Sequence, residues 1–161
     1  MMWVCRPGQH SKFYDSFVES KKIYLAWEGY KTNLSKMKDR QEFRDLVIAE
    51  KNPGARTTIS NWAGQLYSFS KEMSQGDYVL VPGKSSRTYS LARIISDYKF
   101  CKSDAFAHSR DIEWIVMDAP REIFPQDIQY SLGAFRTLFK AKQEDYICSA
   151  MEKWKKENAN K

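Results

Sequence analysis

Two side chains near the middle of the chain have the chemistry to read a flat, polar ligand: the amide of Asn61 and the indole of Trp62. An amide offers a donor and an acceptor side by side to the edge of a base, and an indole offers a face for stacking. They sit in residues 58–69, a stretch that continues through Met73 to Gly76 and Asp77. Within it Ile59, Trp62, Leu66, Phe69 and Met73 recur every three or four residues, which places them on one face of a helix. Ser60 and Asn61 are good N-cap residues, so the pattern predicts a helix start there, where free N–H groups suit an anionic or polar ligand. The same spacing also suits Trp62 as a core aromatic, and that reading stays open.

Cations able to meet phosphate come in two groups, Lys31, Lys36, Lys38, Arg40 and Arg44, then Lys84 and Arg87. Lys36, Lys38, Arg40, Lys84 and Arg87 fall in expected loops, turns or helix starts, where long side chains reach a backbone without reading it. The net charge of +6, from 26 Lys plus Arg against 20 Asp plus Glu, allows a polyanionic partner without requiring one. A charge run is also what a solvated face looks like.

Catalytic patterns fail on inspection. Gly83-Lys84-Ser85 ends like a phosphate-binding loop, but Tyr78 stands where its first glycine is needed and a strand is expected to follow. Cys5, His10, Cys101 and His108 lack the tight pair spacing of a structural zinc site, so no metal is expected. A metal-dependent nuclease needs clustered carboxylates with a Glu/Asp-x-Lys on a strand. Glu19-Ser20-Lys21 lies at a helix end with only Asp15 before it. There is no Gly-x-Ser-x-Gly, and Cys148 has no nearby histidine. The expectation is a binding module, not an enzyme, without a cofactor.

The elements that must hold these residues read as one folded domain. Hydrophobic residues make up 42% and aromatics 14% of 161, enough for a real core. No apolar run approaches the ~20 residues of a membrane span. The N-terminal residues lack a leader pattern, and three unclustered cysteines suggest a reduced, cytoplasmic setting. Strands are expected at 3–6, 23–27, 77–81, 88–95, 98–100, 112–117 and 134–139, with a loop over 102–110. Helices are expected at 13–19, at 40–51 behind the capping box Asp39–Glu42 with Phe43, Leu46, Val47 and Ile48 inward, and at 146–154. Intermixed strands and helices give an α+β fold with a mixed sheet curled around its own core.

Several blocks carry a resemblance. They are Trp-Val-x-Arg from Trp3, Ile-Tyr-Leu-Ala-Trp-Glu-Gly from Ile23, Leu-Ser-Lys-Met-Lys-Asp-Arg from Leu34 and Asn-Trp-Ala-Gly-Gln-Leu-Tyr-Ser-Phe from Asn61. Gly-Asp-Tyr-Val-Leu-Val-Pro from Gly76, Ser-Asp-Tyr-Lys-Phe from Ser96 and Gln-Asp-Ile-Gln-Tyr-Ser-Leu-Gly-Ala-Phe from Gln126 complete the series. In this order they resemble the N-terminal domain that precedes an Mrr-type nuclease domain in many bacterial modification-dependent restriction endonucleases. That domain is similar to the EVE and YTH members of the PUA-like superfamily.

The resemblance implies a small curled mixed β-barrel with peripheral helices over residues 1–141, followed by an amphipathic helix and polar tail over 142–161. It also implies a pocket for a flipped, modified base, which brings DNA as partner and a role in restriction or phage defence. Carried over by position, Asn61 and Trp62 border that pocket, Trp27 closes the second strand, Arg6 leaves the first, Gln65 lies one turn after Asn61, and Ser131 precedes the last strand. The nuclease domain of relatives does not follow, so the effector is expected on a separate chain or outside this fragment. RNA is the alternative partner, and a sensor of a free nucleotide or other small molecule is the alternative from another class.

Overall fold

A computed structural model describes residues 1–134 and 136–159. In chain order the elements are β1 (Met2–Cys5), α1 (Tyr14–Ser20), β2 (Lys22–Tyr24), α2 (Arg40–Lys51), α3 (Arg56–Tyr67), β3 (Tyr78–Pro82), β4 (Thr88–Ile94), β5 (Lys99–Phe100), β6 (His108–Pro120), α4 (Gln126–Leu132), β7 (Leu138–Lys140) and α5 (Glu144–Asn158). The strands form one curled sheet in the order β2-β6-β4-β3-β1-β7, with β5 also paired to β6. Only β1 and β3 run parallel, so the sheet is mixed, and it curls as a half-barrel.

Period-2 alternation explains why both faces of this sheet are covered. Along β1, Trp3 and Cys5 enter one core while Met2 and Val4 enter the other; along β3, Val79 and Val81 oppose Leu80 in the same way. The first core receives Phe17 of α1, Phe43 and Val47 of α2, and Leu66 of α3. The second receives Ile128 and Leu132 of α4 and Ile147 and Met151 of α5. Thus α5 packs as an integral layer over the back of the sheet, extending through residues expected to be a polar tail.

The sheet does not close by backbone pairing, because β2 and β7 are its edges. Side chains bridge the seam instead. The Trp27 indole N–H donates to Thr137 Oγ1 (2.9 Å), and Gln65 Oε1 of α3 accepts from the Leu138 N–H of β7 (2.9 Å). An edge N–H that would otherwise lie unpaired beneath a helix is thereby satisfied.

Several boundaries differ from the sequence expectation, each for a physical reason. The second strand ends at Tyr24, because Trp27 N–H turns back onto Leu25 O (2.8 Å); Trp27 therefore lies beyond the strand. α3 begins at Arg56 behind Ala55, which offers no side-chain cap, so Ser60 and Asn61 lie in its second turn and not at its start. Asn61 therefore does not stand among the free N–H groups of a helix N-terminus, where an anion would be favoured. At its other end α3 runs into a π-turn, Ser68–Glu72. β6 begins at His108, not Ile112, and the expected loop residues His108, Ser109 and Arg110 are buried in the sheet. A helix, α4, occupies 126–132, and the last strand shrinks to Leu138–Lys140; Phe135, expected in it, lies outside the described residues. Asp39 caps α2 as expected (2.9 Å to Glu42 N–H), while Glu42 reaches back to the N–H of Lys38 (2.6 Å). Ile48 on that helix is exposed. Among the described residues no helix is long and apolar enough to cross a membrane.

Buried His108 gives the fold a pH signature. Tyr98 Oη accepts from Leu34 N–H (3.2 Å) and sits 2.6 Å from His108 Nδ1. That directs the phenol proton to Nδ1 and leaves the ring proton on Nε2, on the side of the Tyr30 backbone. Burial pushes the imidazole down from 6.5 to about 4. Between those values the unfolded chain binds a proton that the folded chain refuses, so stability rises with pH there. It is fully present above 6.5, lost as pH falls toward 4, and flat in this contribution below 4. The expected loss is roughly 3 kcal/mol at ~1.4 kcal/mol per pH unit. Urea unfolding at a series of pH values for the parent and a His108→Gln variant isolates it, since only the parent should carry this slope.

Candidate functional site

The polar side of α3 opens onto a cavity of about 810 Å³. From α3 it receives Thr57, Ser60, Asn61 and Gln65. The facing wall comes from α4, β7 and their connection, including Ser131, Arg136 and Lys140, with Lys142 beyond β7 and Arg40 from α2. Asn61 and Gln65 are one helical turn apart and act as a unit. Gln65 is only 8% exposed, and its Nε2 donates to Asn61 Oδ1 (2.6 Å) while its Oε1 is taken by β7. One of the two Asn61 Oδ1 lone pairs is therefore taken, and its Nδ2 donors have no protein partner among the described residues. The unit presents donors to the cavity, on a framework fixed by the sheet edge.

Charge around this cavity is mostly positive, with one carboxylate as organiser. Glu72 pairs with Lys140 (3.2 Å) and Arg40 (3.8 Å), and Ser68 Oγ donates to it (2.7 Å). Burial alone would raise its carboxyl; the Ser68 hydroxyl and the two cations outweigh that and hold it below its usual range. Arg40 also lies over the Tyr67 ring (4.4 Å) and Lys140 over Trp3 (5.4 Å), so both cations are held in place. Arg136 and Lys142 are exposed and unpaired by any carboxylate among the described residues.

A second cavity of about 400 Å³ shares Arg136 with the first and adds Arg6, His10, Ser85, Ser86 and Thr137. Arg6 staples β1 to the stretch after α4: its Nη2 donates to Ala134 O (2.8 Å), and its buried Nε has no partner among the described residues. Thr137, whose hydroxyl holds the Trp27 indole, connects this cavity to an aromatic group. Trp27 and Trp62 lie 6.1 Å apart, tilted by 44°, and Tyr30 meets Trp62 edge-on at 6.5 Å. Both indoles are half-buried against the first core, in contact with each other, and neither borders the two cavities just described.

The residues singled out in the sequence are thus divided. Asn61, Gln65, Ser131 and Arg40 border the large cavity, Arg6 the small one, and Trp27 and Trp62 form the adjoining pair. Ser131 is exposed in the last turn of α4, where its hydroxyl donates to Ile128 O (2.9 Å). Lys36 and Lys38 are exposed before α2 and border neither cavity. Lys84 pairs with Asp15 (3.0 Å), and Arg87 follows the turn that supplies Ser85 and Ser86. Arg136, Lys140, Lys142 and Thr137 were not singled out. Of the three cations only Lys140 lies within β7, with Arg136 before it and Lys142 after it, so no strand periodicity marks them in the sequence. Among the described residues no three His, Cys, Asp or Glu side chains gather as a metal site would need.

Residues 3–140 match one family along nearly the whole sheet. The chain belongs to the family described as a domain of unknown function, DUF8426. The family's span takes in both cavities except Ala141 and Lys142 and stops before α5. No curated protein and no solved structure matches the chain significantly.

Proposed function

We propose that this DUF8426 chain is a nucleic-acid-binding module that reads a base displaced from DNA, a modified base being preferred, and works in restriction or phage defence with a nuclease not carried by these residues. The observation that carries the proposal is the 810 Å³ cavity bordered by Asn61 and by the cations Arg136, Lys140 and Lys142. Donors on a rigid frame suit a base edge, and surrounding cations suit the phosphates on either side of it. The sequence blocks that resemble the N-terminal domain of Mrr-type endonucleases support the same reading, as does the aromatic pair joined through Thr137 to the smaller cavity. Trp27 and Trp62 touch, so a base stacks on one exposed face of the pair, or the pair parts to admit it. Displacing a base costs a few kcal/mol, roughly, and one stacked face returns ~1–3 kcal/mol.

A panel of plain and base-modified oligonucleotides, as double-stranded DNA, single-stranded DNA and RNA, tests the proposal across a salt series. The expected result is tighter binding of one modified DNA, with affinity falling steeply as salt rises. Preference for RNA would move the module to RNA reading. Weak salt dependence with tight binding of a mononucleotide would replace both by a small-molecule sensor.

A further inference from the structure

A different cavity, on the side of the molecule built by α1, β2 and the loop before β6, has another chemistry. It encloses about 650 Å³, within the range of small-ligand sites. Its walls include the partly exposed rings of Phe13, Tyr24 and Phe106, with the fully buried Phe17 beneath them. They are mutually inclined, with Phe13 edge-on to Phe106 at 4.8 Å, Phe17 5.6 Å from Tyr24, and Tyr24 6.4 Å from Phe106. The remaining polar lining is Ser16, Ser20 and three carboxylates, Glu19, Glu28 and Asp104, and none of these carboxylates forms an ion pair among the described residues. Lys31 Nζ donates to the backbone oxygens of Lys102 (3.4 Å) and Asp104 (2.9 Å), fixing the loop that carries Phe106. Lys12 Nζ lies 5.1 Å from the Phe13 ring centre, so one of these rings already receives a cation.

We propose that this cavity is a binding site for an alkylated ammonium group. Several ring faces from separate elements attract a weakly hydrated cation through their quadrupoles. Unpaired carboxylates add charge complementarity and disfavour an anion, and the apolar walls accept the methyl groups. A compact, strongly hydrated ammonium gains less here than a methylated one, because the rings cannot replace its lost water. The site is independent of the cationic cavity at α3 and needs no nucleic acid.

The test uses choline and its neutral isostere 3,3-dimethylbutan-1-ol, titrated into the full chain and followed by amide chemical shifts. Choline should bind roughly tenfold more tightly than the alcohol, which corresponds to about 1.4 kcal/mol. Shifts should centre on Tyr24 and Phe106. Glu28→Gln, at an exposed position, should shrink the discrimination severalfold with the melting temperature unchanged, and Phe106→Ala should remove it. A peptide carrying trimethyllysine distinguishes the source of the group: tighter binding than choline assigns it to a partner chain, equal binding to a free small cation. Equal affinity for choline and the alcohol, or discrimination that survives both substitutions, overturns the proposal.

Discussion

Replacing Arg110 with methionine is expected to cost about 3–5 kcal/mol of folding stability, although the residue touches no proposed ligand. The side chain is 2% exposed and enters the sheet from β6. Its Nε donates to Phe69 O (2.9 Å), Nη2 to Ser70 O (3.4 Å) and Nη1 to Ser96 O (3.2 Å). Two of these carbonyls belong to the π-turn that ends α3, where oxygen atoms lack helical partners. Methionine fills a similar volume but donates nothing, so the carbonyls stay buried and unsatisfied at ~1–3 kcal/mol each. Because the carbonyls remain, the favourable exchange of a whole polar group for an apolar one does not apply. Urea unfolding should show a lower midpoint with unchanged slope, and the melting temperature should fall by about 10 °C. A loss below about 1 kcal/mol would mean that solvent reaches the carbonyls, and that the π-turn is held by Phe69 packing alone.

Arg110 also shows why part of the fold was hidden in the sequence. A run such as His-Ser-Arg-Asp looks like a loop, because the usual cue for a strand is alternation of apolar with polar side chains. Here His108 and Arg110 point inward, and what makes them tolerable lies outside the run: Tyr98, ten residues back, for one, and the end of α3, some forty residues back, for the other. No local pattern reports a partner forty residues away. Where the stabilising chemistry is local, the sequence is readable. Asp39 caps α2 within one turn, and the alternation of Trp3 with Val4 and of Val79 with Leu80 sorts two cores from two short strands. The start of α3 misled for the opposite reason. Ser60 and Asn61 have the chemistry of caps, yet the helix begins four residues earlier behind an alanine, leaving Asn61 free to pair with Gln65. The cavity was half legible. Its α3 side is a contiguous motif, but its cationic side arrives on β7, some seventy residues later, and only the sheet order brings the two together.

Trp62→Ala and Arg136→Ala are expected to separate base reading from phosphate attraction. Arg136 is exposed, lies on the boundary of both cavities, and has no acidic partner among the described residues. Its loss should weaken plain and modified oligonucleotides by a similar factor and reduce the salt slope by about one. Trp62 is half-buried, with one side against Trp27 and Tyr30. Truncating it should leave the salt-dependent affinity while removing most of the preference for the modified base, worth ~1–3 kcal/mol if one face stacks. A fully buried tryptophan costs ~3–5 kcal/mol when cut to alanine, and a half-buried one less, so the variant should fold with a measurably lower melting temperature. Melting curves therefore accompany each titration. A folded Trp62→Ala protein that keeps its full preference would assign the indole to packing alone and leave Asn61 as the reader. Asn61→Leu then gives the decisive comparison, because it removes the donors facing the cavity and leaves the Gln65 bond to Leu138 in place.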